Sequence, residues 1–334
     1  MIPRRSTVVL ALAVIAGMLI RTPSARTQTA SQDSSKGAPA QFTVGNYSAA
    51  IAALRDRVAK NPQDADAYYW LCRSYYEARD FDNAIAEGEK AVSLSPQNSD
   101  YHMWLGEAYG VKADREHSFL LARKVKHEFE EAVRLNPRNV HARRDLAEFY
   151  AEAPWIVGGS KDGAKQQVDA VAALDPAQGH LARAQYWADQ KRNDLTENEC
   201  GQALSAKSSD PAADFEAADC YAALIRVPQL KSAVDAAAVL RPNDPRLGYY
   251  RGVEGVLAGG PMGPAEQSLK SYLASTPDRS DWPSHAAARE WLGRAYEAEG
   301  KRQQAAEQYR AALQLDPQRT SASNRLKHLE QSSK

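Results

Sequence analysis

From Phe42 onward the apolar residues recur at intervals of three and four, and no run of β-branched residues alternates as a strand would. Tyr68, Leu71, Cys72 and Tyr75 stand at i, i+3, i+4 and i+7, one stripe along a helix that must pack on a partner. Prolines punctuate the helical segments at a near-constant interval. Pro62 to Pro96 spans 34 residues, Pro96 to Pro137 41, Pro137 to Pro176 39, Pro176 to Pro211 35, Pro242 to Pro277 35 and Pro277 to Pro317 40. The same ending precedes several of them: AVSLSP, AVRLNP, VAALDP, AAVLRP and AALQLDP. Each is an apolar stripe running into a residue that cannot continue a helix, so each proline is expected to close the second helix of a pair.

Within this unit, small and aromatic residues hold fixed places. The last full unit has Leu292, Gly293 and Tyr296, then Ala305, Tyr309 and Ala312, then Pro317, with Arg289 where an aromatic is expected. Earlier units have Tyr68, Leu71, Cys72 and Tyr75, then Ala84, Ala91 and Pro96; Leu105, Gly106 and Tyr109, then Phe129, Ala132 and Pro137; and Leu146, Ala147 and Tyr150, then Ala164 and Pro176. The pattern resembles the tetratricopeptide repeat. It implies an all-α fold, an α-solenoid of stacked antiparallel helix pairs wound into a superhelix over residues 42 to 330, with about six or seven units. Those at 177–210, 211–243 and 246–280 are degenerate. A single pair cannot cover both of its apolar faces, so pairs must stack, and Gly106 and Gly293 are small where two helices approach. The first unit shows only its second helix, Tyr47 to Val58, and TSASNRLKHLEQ after Pro317 reads as a solvating last helix. Two insertions interrupt the period. That at 110–126 reads as a lengthened second helix, and that at 151–163 as a loop with an apolar tip at Trp155-Ile156-Val157. The Gly259-Gly260-Pro261-Met262-Gly263-Pro264 run reads as a turn inside one pair.

The start of the chain changes the setting. MIPRR, the apolar run Val8 to Ile20 and a polar RTPSARTQTA stretch follow the order of a secretory signal, so residues 1–30 are expected to be a cleaved signal peptide or an uncleaved anchor. Residues 31–41 read as a flexible linker. The expected location is periplasmic or secreted, with an inner-membrane-anchored form facing the periplasm as the alternative. Lysine plus arginine equals aspartate plus glutamate at 42 each, and cleavage after residue 30 would leave a net charge of −4. Neither balance is a nucleic-acid footprint. An oxidising compartment would permit one disulfide. Cys200 and Cys220 are the pair close in sequence, and two free buried thiols are the alternative.

Chemistry-bearing motifs are absent. Gly158-Gly159-Ser160-Lys161 has the wrong order for a phosphate loop and follows no strand. The seven histidines show no metal-ligand spacing, and no G-x-S-x-G elbow occurs. The expectation is a protein that is not an enzyme and takes no cofactor or metal. The resemblance implies that the first helix of each unit lines a concave groove. Carried over residue by residue, that groove holds Tyr69, Arg73 and Tyr76, then Met103 and Glu107, then His141, Arg144 and Glu148. Later units add Phe215 and Asp219, Tyr250 and Glu254, and Glu290 and Arg294. Aromatics beside arginine are the residues that dominate interfaces, although Tyr69 and Tyr76 would equally serve to cover a neighbouring helix. The Lys-and-Asn pattern of carboxylate clamps is missing. The expected function is a scaffold binding a protein or peptide, with no nucleic acid, and with the membrane reached only through the anchor. The alternatives are an enzyme or small-ligand site in 177–280, or a homo-oligomeric structural part.

Overall fold

The computed structural model describes residues 39–208 and 211–331, so the expected signal segment and most of the expected linker lie outside the described residues. No strand occurs among the described residues, which fall into two compact units, 39–242 and 243–331. The first holds α1 (Ala40–Thr43), α2 (Tyr47–Lys60), α3 (Ala65–Glu77), α4 (Phe81–Leu94), α5 (Ser99–Glu116), α6 (Phe119–Leu135), α7 (Val140–Glu152), α8 (Lys161–Leu174), α9 (Pro176–Asp189), α10 (Asn193–Ser205), α11 (Pro211–Ala223) and α12 (Val227–Leu240). The second holds α13 (Arg246–Ala258), α14 (Gly263–Ser275), α15 (His285–Ala298), α16 (Arg302–Leu315) and α17 (Thr320–Gln331).

Short polar side chains start these helices. Asp64, Asp80, Asn98, Ser118, Asn139 and Ser160 each accept a backbone N–H from the first turn that follows, leaving fewer orphan donors. The prolines act in two ways. Pro62, Pro96, Pro137 and Pro317 lie just past a helix end, whereas Pro176 and Pro211 open α9 and α11, where a missing N–H costs nothing. Asp175 there closes α8 and caps α9, accepting from the Gln178 N–H at 3.0 Å.

Consecutive helices pack in chain order within each unit, which makes each a solenoid of helix pairs. The close approaches fall where the small residues predicted them. A β-carbon on Gly106 would lie 2.6 Å from Phe129 Cε1, and one on Gly293 2.6 Å from Tyr309 Cε1. The extra residues at 110–126 are shared, with α5 reaching 18 residues and α6 17, rather than lengthening the second helix alone. In the next insertion a single 3₁₀ turn, Trp155–Val157, exposes Trp155 and Ile156 but buries Val157, so the apolar tip is two residues and not three. Cys200 and Cys220 form a disulfide joining α10 to α11. Cys72 is a free, buried thiol that burial pushes up to about 12.

Candidate partner-binding face

The first helices of successive pairs touch one another: α3 packs on α5, α5 on α7, α7 on α9 and α9 on α11. They make a continuous inner row, with α4, α6, α8, α10 and α12 packed behind it. In the second unit α13 packs on α15 in the same way.

Tyr69, Arg73 and Tyr76 lie on this row, but not on an open face. Arg73 is only 3% exposed. Its guanidinium carbon stands 4.3 Å from the ring centre of Trp104, 4.6 Å from Trp70, 5.1 Å from Phe42 and 5.7 Å from Tyr69. Its Nη1 donates to the Tyr69 hydroxyl at 3.2 Å. A weakly hydrated planar cation suits such a cage of rings. Tyr69 stacks on Tyr101 with centroids 4.9 Å apart, and burial pushes its phenol up. The Tyr76 hydroxyl donates to Glu107 Oε2 at 3.3 Å, joining α3 to α5. The face expected to be free is therefore more buried than the half-buried Tyr68 of the expected packing stripe.

Further along, Met103 and Glu107 are buried, while His141, Arg144 and Glu148 are half-buried. Arg144 makes a two-pronged pair with Glu216: Nη1 donates to Oε2 at 2.8 Å and Nη2 to Oε1. The same Nη1 donates to Gln178 Oε1, so one guanidinium ties α7 to α9 and α11 across three pairs. Burial works against that charge, but the Glu216 carboxylate outweighs it and holds the Arg144 pKa up. Burial likewise raises the Asp100 carboxyl at the start of α5, which accepts from Asn139 Nδ2 at 3.1 Å.

The later placements differ from the sequence reading. Phe215 and Tyr250 are wholly buried, which removes them from any surface; on α11 it is the next residue, Glu216, that reaches the row's charge pair. Asp219 and Glu254 are half-buried. Glu290 is buried and accepts from Arg319, and the Arg294 guanidinium lies 3.7 Å from the Trp291 ring centre, its pKa lowered by burial and by Arg325. Sequence reasoning missed Phe42, Trp104, Gln178 and Glu216. Among the described residues no group of three or more His, Cys, Asp or Glu side chains is placed to hold a metal ion.

A stack of helix pairs with a continuous inner row defines a helical repeat protein, and comparison with known proteins gives the repeat. The tetratricopeptide repeat family model matches residues 36–99, 73–109 and 265–320, so these stretches are similar to tetratricopeptide repeats. No curated protein matches the chain. Among solved structures, the human IFIT1 dimer with PPP-AAAA aligns at 17% identity over 79% of this chain and 63% of its own, with a TM-score of 0.51. A monomeric IFIT1 mutant with m7Gppp-AAAA aligns at 14% identity over 84% and 67%, also at 0.51. A thermophilic TPR protein of Thermus thermophilus is 24% identical over 54% of this chain and 92% of its own, at 0.44. The two IFIT1 structures share the fold with this chain, which spans about two thirds of their length.

Proposed function

We propose that the chain is a non-catalytic scaffold that binds a segment of another protein along the inner row of its first helices. It works in the periplasm or outside the cell, either released from its N-terminal apolar segment or held by it. The observation that supports this reading most is the Arg144–Glu216–Gln178 cluster on α7, α9 and α11. A largely desolvated ion pair stabilises a fold little, and apolar residues of the same volume would serve stability as well or better. Charges and aromatics retained along one row fit recognition, and stacked repeats in general present such a row as an extended binding surface.

A polypeptide suits the row better than a nucleic acid. Arg73 and Arg144 are accompanied there by Glu107, Glu148, Glu216 and Asp219, and this excess of carboxylate would repel phosphate. The RNA carried by the IFIT1 structures belongs to those proteins, and a likeness at 14–17% identity extends to the fold alone.

The test uses half-buried positions, because replacing Arg73 would empty the aromatic cage and replacing Tyr76 would remove its contacts with Trp104 and Glu107. Wild type and the double variant Glu148→Lys/Asp219→Lys are used to capture partners from the native envelope fraction. The expected result is a protein held by wild type and bound at least ten times more weakly by the variant, about 1.4 kcal/mol or more, with an unchanged helical spectrum. A partner held equally by both would refute the inner-row reading.

A further inference from the structure

Every helix pair of the first unit reverses at the same end, so the turns between first and second helices lie along one edge. Two neighbouring turns on that edge differ from the rest. α5 and α6, at 18 and 17 residues against 13 and 14 for α3 and α4, overshoot by about one helical turn, roughly 5 Å. Their tip carries Phe119 and Leu120, 54% and 71% exposed. The adjoining turn, between α7 and α8, carries Trp155 and Ile156, 84% and 52% exposed. The two turns are joined physically: a β-carbon on Gly158 would lie 2.6 Å from Lys126 Cδ on α6, and the 155–157 turn packs against that helix.

Trp155 is the one exposed tryptophan of the chain's six. Burying each of these four side chains would be favourable, and the fold forgoes that at a site where both insertions place them. Lys112, Lys124 and Lys126 are paired with carboxylates, and at the tip the exposed cations Arg115, Arg123 and Lys161 stand beside the exposed acids Glu116 and Asp162.

We propose that this edge docks on an anionic lipid surface. Trp155, Ile156, Phe119 and Leu120 enter the boundary between headgroups and acyl chains, and Arg115, Arg123 and Lys161 meet the anionic headgroups. The shape favours lipid over a protein groove, since the apolar residues crown a protrusion rather than line a concavity. The chemistry agrees: an indole places an apolar body and a polar N–H across such a boundary, and basic side chains are drawn to an anionic surface.

The full chain is mixed with phosphatidylcholine vesicles, with and without phosphatidylglycerol, whose acyl chains are either plain or brominated to quench nearby indoles. Residues 1–38 contain no tryptophan, so insertion of that segment alone brings no indole of its own into the acyl region. The expected result is a loss of fluorescence in brominated anionic vesicles that is smaller without phosphatidylglycerol and mostly abolished in Trp155→Phe. Phe119→Ser/Leu120→Ser, which leaves Trp155 in place, should also reduce it. No loss in anionic vesicles, or a loss that Trp155→Phe retains in full, would overturn the proposal. Absence of quenching together with protection of Trp155 by a captured protein would assign the edge to a protein partner instead.

Discussion

Gly106 and Gly110 lie one turn apart on α5, and alanine at the two sites should have opposite effects. In a helix interior, alanine in place of glycine contributes about 1 kcal/mol through the backbone alone. At Gly110 nothing opposes that gain, because the nearest atom to the new β-carbon is Val125 Cγ2 at 4.0 Å. At Gly106 the β-carbon would lie 2.6 and 2.7 Å from Phe129 Cε1 and Cδ1 and 3.3 Å from Glu128 Cβ. Neither neighbour can swing aside: Phe129 is buried, and the Glu128 carboxylate is held by His102 at 2.6 Å. Overpacking of this kind costs about 1 to 3 kcal/mol, so Gly106→Ala should end between neutral and about 2 kcal/mol destabilised. The propensity term cancels in the comparison, leaving the two variants about 1 to 3 kcal/mol apart. In a unit of this size each kcal/mol moves the melting temperature by about 2 to 4 °C. Urea and thermal melts followed by circular dichroism would read the difference. Equal gains from both variants would show that α5 and α6 do not meet in this register.

Three further outcomes follow from the same structure. Ile225 holds a left-handed backbone (φ 56°) between α11 and α12, where a β-branched side chain is strained, so Ile225→Gly should stabilise the fold by about 1 kcal/mol and raise the denaturation midpoint; an unchanged or lower midpoint would count against that conformation. The Cys200–Cys220 bridge closes a loop of 20 residues, so reduction should lower stability by about 3 kcal/mol, and thiol titration in denaturant should find one free cysteine before reduction and three after. His102 is buried, which by itself disfavours its charged form, but the Glu128 hydrogen bond at 2.6 Å and the Pro96 carbonyl at 3.1 Å outweigh that and raise its pKa. A raised histidine stabilises fully below its unfolded value of about 6.5 and loses that contribution as pH climbs through the folded value. The stability gap between wild type and His102→Gln should therefore narrow between pH 6 and pH 9, and a constant gap would refute it.

The repeat was legible because packing imposes it. Gly106, Gly293 and the alanines of the second helices must stay small, and helix-closing prolines recur whatever the surface does. The face of a first helix was not legible, for a physical reason. α3 touches α2, α4 and α5, so nearly its whole circumference is buried, and no polar stripe separates Tyr68 from Tyr69. On α11 the sequence PAADFEAADCYAA offers alanine on every side, which leaves no stripe to fix the helix phase, and Phe215 was read outward where Glu216 belongs. The Arg73 cage had a partial signal in its aromatic-rich neighbours, but Phe42 and Trp104 come from other helices and only the fold brings them to Arg73. The disulfide was left open between a bridge and two thiols because spacing alone does not set the distance between α10 and α11.

Site-specific photocrosslinking to the captured partner shows which face of the solenoid the partner touches. A photoreactive residue is placed at Glu148 on α7 or Asp219 on α11, both on the row, and at Lys165 on α8 or Asp235 on α12, both exposed on the second helices. Crosslinks to the partner are expected from Glu148 and Asp219 and none from Lys165 or Asp235. Crosslinks confined to the second-helix positions would contradict the inner-row reading.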